Sequence, residues 1–170
     1  MSAIRSWPSC ARTYRPGSST LSSRPSWRRS WRPNTLGNNC ADEVGERNDW
    51  VELYNTGDVA VDLAGYSLTD DTASPRKSVI PEGVTIEARS ALLFWADATP
   101  DQGKTQLSSK LKAKTEEVVL YDAETRQVDL YRWAEGYSDI SFARVPDGTG
   151  EWVRCAQPTC GAENSSACGS

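Results

Sequence analysis

The chain has 170 residues, enough for one ordinary domain, and no stretch reaches the roughly 18 apolar residues that a membrane span needs. It contains no histidine, which excludes Ser-His-Asp and Cys-His catalysis and zinc sites that need imidazole. Residues 1–41 carry seven arginines and no acidic residue, whereas residues 42–170 carry 12 basic and 23 acidic residues, so the longer part repels nucleic acid.

Residues 1–35 are rich in Arg, Ser, Pro and Trp and show no apolar periodicity. Such a segment cannot bury enough surface to offset its chain entropy, so we expect a disordered basic tail. No apolar run of about 7–15 residues follows Arg5, so the segment does not have the pattern of a secretory signal. Arginines with interleaved tryptophans are also typical of a nucleic-acid-binding arm, and the composition equally fits a misassigned start or reading frame.

From Asp49 onward apolar and polar residues alternate with a period of two, which predicts strands. Turn residues separate the strands about every 8–12 residues, as in the Asn-Thr-Gly-Asp run at 55–58. The continuous apolar run at 91–96 is expected to be a central strand covered on both sides. No segment shows a helical stripe, and the fold class is therefore all-β, with a sandwich as the expected architecture. The predicted strands are 50–54, 59–63, 66–68, 79–80, 84–86, 91–96, 117–122 and 127–131.

Three stretches, at 38–46, 49–58 and 61–71, resemble the bacterial lamin tail domain. The resemblance implies an immunoglobulin-like β-sandwich over residues 36–164, followed by a short flexible tail at 165–170. In bacteria, domains of this family often accompany secreted or surface hydrolases. Further matching stretches lie at 81–86, 92–97, 143–148 and 158–164.

The chain departs from the family pattern at several positions. Family members usually have an apolar first strand, whereas residues 30–34 contain Pro33, so we expect one strand to be missing and one sheet edge to be unpaired. Ser78 stands where an aromatic residue is common. His, Phe and Gly are common where this chain has Gln106, Ser109 and Thr115, so the crossing loop there is expected to be repacked.

Four carboxylates, those of Asp42, Glu43, Glu46 and Asp49, crowd one predicted loop. Calcium takes about six to eight oxygen ligands, which such a loop can supply, although the spacing does not follow the EF-hand pattern. The alternative is a set of solvated turn residues. Calcium is thus the candidate metal, and no other cofactor is expected.

Cysteine usage is informative about the C-terminal part of the domain. Cys40, Cys155, Cys160 and Cys168 are disulfide candidates, and their spacing matches no zinc motif. The sequence does not choose among the three possible pairings, but a Cys40–Cys155 bridge would tie the domain ends and Cys160–Cys168 would close a tail loop. Bridges would imply an oxidising compartment, whereas reduced structural cysteines are the alternative.

Two aromatic residues, Trp133 and Tyr137, stand beside Gly136 and polar neighbours and are candidates for an exposed binding surface. The resemblance to the bacterial lamin tail domain implies a protein that is not an enzyme but a binding or attachment module for a protein or cell-surface component. The expected location is extracellular or at the cell surface, although this chain carries no signal peptide. Alternatives are an accessory domain of a larger secreted hydrolase and a calcium- or carbohydrate-binding module.

Overall fold

The computed structural model describes residues 21–24, 41–112, 114–135, 140–164 and 168, with the backbone alone at 21–24 and 114–115. Within these residues the chain forms strands and a single 3₁₀ turn at Pro100–Gln102. The strands are β1 Leu21–Arg24, β2 Trp50–Asn55, β3 Val61–Asp62, β4 Ser67–Thr69, β5 Ser78–Val79, β6 Thr85–Ile86, β7 Ala91–Trp95, β8 Lys114–Tyr121, β9 Gln127–Glu135, β10 Ser141–Val145 and β11 Glu151–Cys155.

The strands form antiparallel sheets that build an immunoglobulin-like β-sandwich. One sheet has the order β1-β2-β7 and another the order β5-β4-β8-β9. Two further pairs, β3-β6 and β10-β11, complete the described architecture. The all-β prediction is confirmed, because the alternation of apolar and polar residues leaves each sheet with one face to bury.

The main core lies between the two larger sheets. Val51 and Leu53 of β2 pack in one cluster with Leu68 of β4 and Leu120 of β8. Phe94 of β7 is fully buried in the same cluster. The period of two in β2 explains this arrangement, since alternate side chains point to the same face of a strand.

The strand β8 is paired along both of its edges, whereas β7 lies at the edge of its sheet. Val118, Val119 and Leu120 are all buried, and β8 is paired with β4 on one side and β9 on the other. By contrast, β7 pairs with β2, and Trp95 makes one isolated bridge on the other side. The predicted central position of 91–96 was therefore wrong, since a continuous apolar run does not show where a strand lies in its sheet. The predicted covering on both faces holds at Phe94 and Trp95, which are buried in different clusters.

The segment predicted as a tail contributes one strand to the described fold. Residues Leu21–Arg24 pair with β2, in a register that sets Leu21 opposite Asn55. This pairing occupies one edge of β2, although an unpaired sheet edge was expected from the absence of an apolar first strand. Main-chain hydrogen bonding does not require apolar side chains. The rest of residues 1–35 lies outside the described residues.

A buried amide closes the far end of β2. Asn55 is fully buried, and its Nδ2 donates to Val59 O at 2.8 Å, Glu87 O at 3.0 Å and Ile86 O at 3.3 Å. Its Oδ1 accepts the Gly57 N–H at 2.9 Å. One side chain thus fixes the 55–58 turn and ties it to the strand end at β6.

The turn between β8 and β9 is organised by Asp122. Its Oδ1 accepts the main-chain N–H groups of Glu124 and Arg126, and its Oδ2 accepts Arg126 Nε at 2.6 Å. Burial acts to raise the pKa of the Asp122 carboxyl, but the hydrogen bonds and the Arg126 charge outweigh it and hold the pKa below its ordinary value.

A carboxyl whose pKa is lowered by folding stabilises the protein above its unfolded-state pKa, and the contribution is lost as the pH falls through the folded-state pKa. We therefore expect Asp122→Asn to be less stable than the parent at pH 7. The difference should shrink as the pH falls below about 4. Urea unfolding of both proteins at pH 7 and near pH 2 measures this effect. A difference that stays the same at both pH values would contradict the role given to Asp122.

Candidate functional site

A carboxylate cluster forms where the loop before β2 meets the end of β7. Ligand oxygens of Asp42, Glu46 and Asp97 all lie within 4.8 Å of one another. The register of β2 on β7, which sets Trp50 opposite Trp95, brings the two segments together. Asp42 and Asp97 are 8% and 5% exposed, whereas Glu46 is exposed, so the cluster opens to solvent on the Glu46 side.

One buried carboxylate oxygen of this cluster accepts no hydrogen bond. Asp42 Oδ1 accepts the N–H groups of Val44 at 3.0 Å and Glu46 at 2.7 Å, which folds the loop around it. Asn48 Nδ2 donates to Glu46 Oε2 at 3.2 Å and to Asp97 Oδ2 at 3.1 Å. Asp42 Oδ2 is buried and has no hydrogen-bond partner. Two unit charges about 4 Å apart repel by about 4 kcal/mol at an effective dielectric constant of 20, so the cluster is electrostatically costly.

The structure changes the membership of the predicted calcium set. Asp42 and Glu46 are in the cluster, but Glu43 and Asp49 are outside it. Glu43 extends instead toward Gly103, where its Oε2 lies 3.7 Å from the position that a Cβ would occupy. Asp97 was missed because it is distant in sequence, and only the β2–β7 pairing brings it to the loop.

A second feature is a cavity of about 140 Å³ beside β5. Ile80, Pro81, Phe94 and Leu107 provide much of its apolar wall, and Ser78 and Gln106 also line it. Gln106 is 9% exposed, and its Oε1 is buried without a hydrogen-bond partner. Ser108 also lines the cavity, and it is attached to β5 because its N–H donates to Ser78 Oγ at 2.9 Å.

The main chain of Val79 faces away from β4. Ser67 is opposite Val79 in the β4–β5 pair, and the next residue, Ile80, donates its N–H to Tyr66 O at 2.8 Å. Because hydrogen-bonded and non-hydrogen-bonded pairs alternate in an antiparallel ladder, the Val79 N–H and C=O point to the outer side of β5. The Val79 side chain is 46% exposed. The outer edge of β5 thus lies next to the cavity.

Residues 35–135 match the family description Lamin Tail Domain. The chain belongs to the Lamin Tail Domain family. The match ends with the last residue of β9 and includes the carboxylate cluster, β5 and the cavity. No curated protein matches the chain. Among the described residues, no helix is long and apolar enough to cross a membrane.

Ser78 and Gln106, at which the sequence was expected to depart from the usual pattern of the family, both line the cavity. Gln106 forms an isolated bridge with Trp95 at the edge of β7, and the predicted repacking of the crossing loop stays a prediction. The cavity itself was not predicted from the sequence, since the departures from the family pattern signalled altered packing but not an opening.

The cysteines C-terminal to the Lamin Tail Domain match pair differently from the suggested arrangement. Cys155 is bonded to Cys168, so neither Cys40–Cys155 nor Cys160–Cys168 forms. The last strand ends at Cys155, which brings it beside Cys168 in an isolated bridge. Cys160 is also disulfide-bonded. Cys40 lies outside the described residues.

Trp133 is not a surface residue. It is 8% exposed in the main core, and its Nε1 donates to Lys112 O at 3.3 Å. Tyr131 lies beside it with ring centroids 6.1 Å apart and contacts Trp152 at 4.3 Å. Burial raises the pKa of Tyr131 to about 12. The prediction that Trp133 is exposed was wrong, because polar neighbours along the chain do not reveal packing across the sheet. Tyr137 lies outside the described residues.

Proposed function

We propose that this domain is a non-catalytic binding module that captures an extended segment of a partner protein along the outer edge of β5. The observation that carries the proposal is the outward-facing N–H and C=O of Val79 beside the 140 Å³ cavity. A partner strand can pair with such groups, and a neighbouring pocket then selects one of its side chains.

The cavity indicates what kind of side chain the partner inserts. An engineered apolar cavity of about 150 Å³ holds one benzene molecule, so a volume of about 140 Å³ suits one side chain of moderate size. Its wall combines apolar groups such as Phe94 with the unpaired acceptor Gln106 Oε1. A side chain with an apolar body and a hydrogen-bond donor therefore fits best.

The net charge of the domain indicates which residues the partner carries besides the inserted side chain. Residues 42–170 carry 12 basic and 23 acidic residues, a net charge of −11. A partner with basic residues is attracted to the domain as a whole, and the attraction weakens as salt is added. This charge argues against nucleic acid as the partner of the domain. Lys104 lines the cavity itself, so the inserted side chain is expected not to be basic.

The proposal includes an oxidising location, at the cell surface or outside the cell. Its support is the Cys155–Cys168 bridge, since disulfides persist in oxidising compartments and are rare in the cytosol. Capture of an extended segment requires no chemical step, so the domain acts by attachment.

The test uses linear peptides selected from a random display library against the full chain. Val79→Pro removes the outward N–H without removing a hydrogen bond to β4, and we expect it to weaken binding of the selected peptide at least about tenfold. Val79→Thr keeps the amide and the side-chain shape and is the matched control, expected to bind as the parent does.

Both variants are first compared with the parent by thermal unfolding, so that a loss of binding is not a loss of fold. Equal affinity of the proline variant and the parent would contradict the proposed edge. Selected peptides that lack basic residues and bind with the same affinity at low and high salt would contradict the proposed charge complementarity.

A further inference from the structure

We propose that Asp42, Glu46 and Asp97 form a calcium site that fastens the loop before β2 to the end of β7. This site is separate from the β5 edge and goes beyond the binding function proposed above. Three carboxylates from two chain segments contribute oxygens within 4.8 Å of one another.

The unpartnered oxygen of Asp42 points to a cation rather than to a set of solvated turn residues. Asp42 is 8% exposed, and its Oδ1 already accepts two main-chain N–H groups, yet Oδ2 is buried without any partner. A buried carboxylate oxygen without a donor is costly, and a cation supplies the missing interaction. In the turns at Asp62 and Asp71, by contrast, the carboxylates are on exposed residues.

The charge balance around the cluster also favours a cation. In the described part of the chain, no lysine or arginine forms an ion pair with any of these three carboxylates. The neutral amide of Asn48 is the side-chain donor that Glu46 and Asp97 share. A divalent ion would neutralise two of the three negative charges at once.

The ligand chemistry selects a hard cation. Carboxylate oxygens suit calcium and magnesium, whereas zinc favours histidine and cysteine, and this chain has no histidine. Calcium accepts irregular geometry and a mixture of carboxylates, carbonyls and water, while magnesium demands a near-ideal octahedron. A cluster built from an irregular loop and a strand end fits the more tolerant ion.

The test is thermal unfolding of the full chain, freed of metal by a chelator and then given calcium. Extracellular modules bind calcium with Kd values of about 10⁻⁴–10⁻³ M, so about 10 mM calcium should raise Tm by roughly 3–6 °C if Kd is near 1 mM. Asp42→Asn should lose this rise, because it removes a charged ligand while its remaining Oδ1 can still accept the two main-chain N–H groups.

In chelator, Asp42→Asn should be at least as stable as the parent, because it relieves repulsion among the carboxylates. A merely structural role of Asp42 would instead lower Tm in chelator. Asp101→Asn, in the neighbouring 3₁₀ turn and outside the cluster, is the matched control and should keep the full response to calcium.

A parent protein whose Tm does not change with calcium would overturn the site. An Asp42→Asn variant that responds like the parent would overturn the choice of ligands. An equal rise with magnesium would overturn the assignment to calcium. None of these outcomes depends on peptide binding at β5, so failure here and failure of the proposed function are distinguishable.

Discussion

Replacing Asn55 by alanine is expected to lower the free energy of unfolding by about 3 kcal/mol. The variant loses the hydrogen bonds to Val59 O, Glu87 O and the Gly57 N–H, and it leaves those groups in a buried site. Each such loss costs about 1 kcal/mol. Urea unfolding followed by tryptophan fluorescence measures the change.

Asn55→Asp separates the roles of the two ends of the amide. The aspartate keeps an acceptor for the Gly57 N–H but loses both donors and places a negative charge against main-chain carbonyl groups. We therefore expect it to be at least as unstable as the alanine variant at pH 7. An aspartate variant as stable as the parent would show that the donor side of Asn55 does not hold the turn.

Removing the Cys155–Cys168 bridge is expected to lower the free energy of unfolding by about 3 kcal/mol. The two cysteines are separated by 13 positions in the chain, and a bridge that closes a loop of about 15 residues stabilises by about 3 kcal/mol in the chain-entropy model. The experiment compares oxidised parent protein with the double variant Cys155→Ser, Cys168→Ser in urea.

A peptide map provides the control for this experiment. Cleavage after Glu163 separates Cys168 from Cys155 and Cys160, so the Cys155–Cys168 bridge must join two peptides before reduction and release them afterwards. The same map of the Cys160→Ser variant must still show the two peptides linked before reduction. A double variant as stable as the parent, or a Cys168 peptide that is free before reduction, would contradict this pairing.

The local pattern predicted most strands, but it did not predict their neighbours. Alternation in residues 50–54 located β2, and the Asn-Thr-Gly-Asp run located the turn that Asn55 closes. The run at 91–96 located β7, but its position in the sheet depends on pairing with distant segments. The tail segment gave no sign of β1, because a strand held by main-chain hydrogen bonds needs no apolar pattern.

The candidate sites also show that local sequence patterns do not predict which distant segments come together. Asp42 and Glu46 were found because they are close in sequence, whereas Asp97 reaches them only through the β2–β7 register. The four candidate cysteines could be named but not paired, since pairing depends on the positions of β11 and the residues after it. Trp133 was misread because burial across the sheet outweighs its polar neighbours in the chain.

The most direct test of the account is an NMR titration of the full, ¹⁵N-labelled chain with a selected linear peptide. The account predicts that the Val79 amide becomes protected from hydrogen exchange and that the Gln106 side-chain amide signals shift. The signals of the aromatic cluster around Tyr131 should stay unchanged. Shifts confined to that cluster, or a Val79 amide that exchanges equally fast with and without peptide, would contradict binding at the β5 edge.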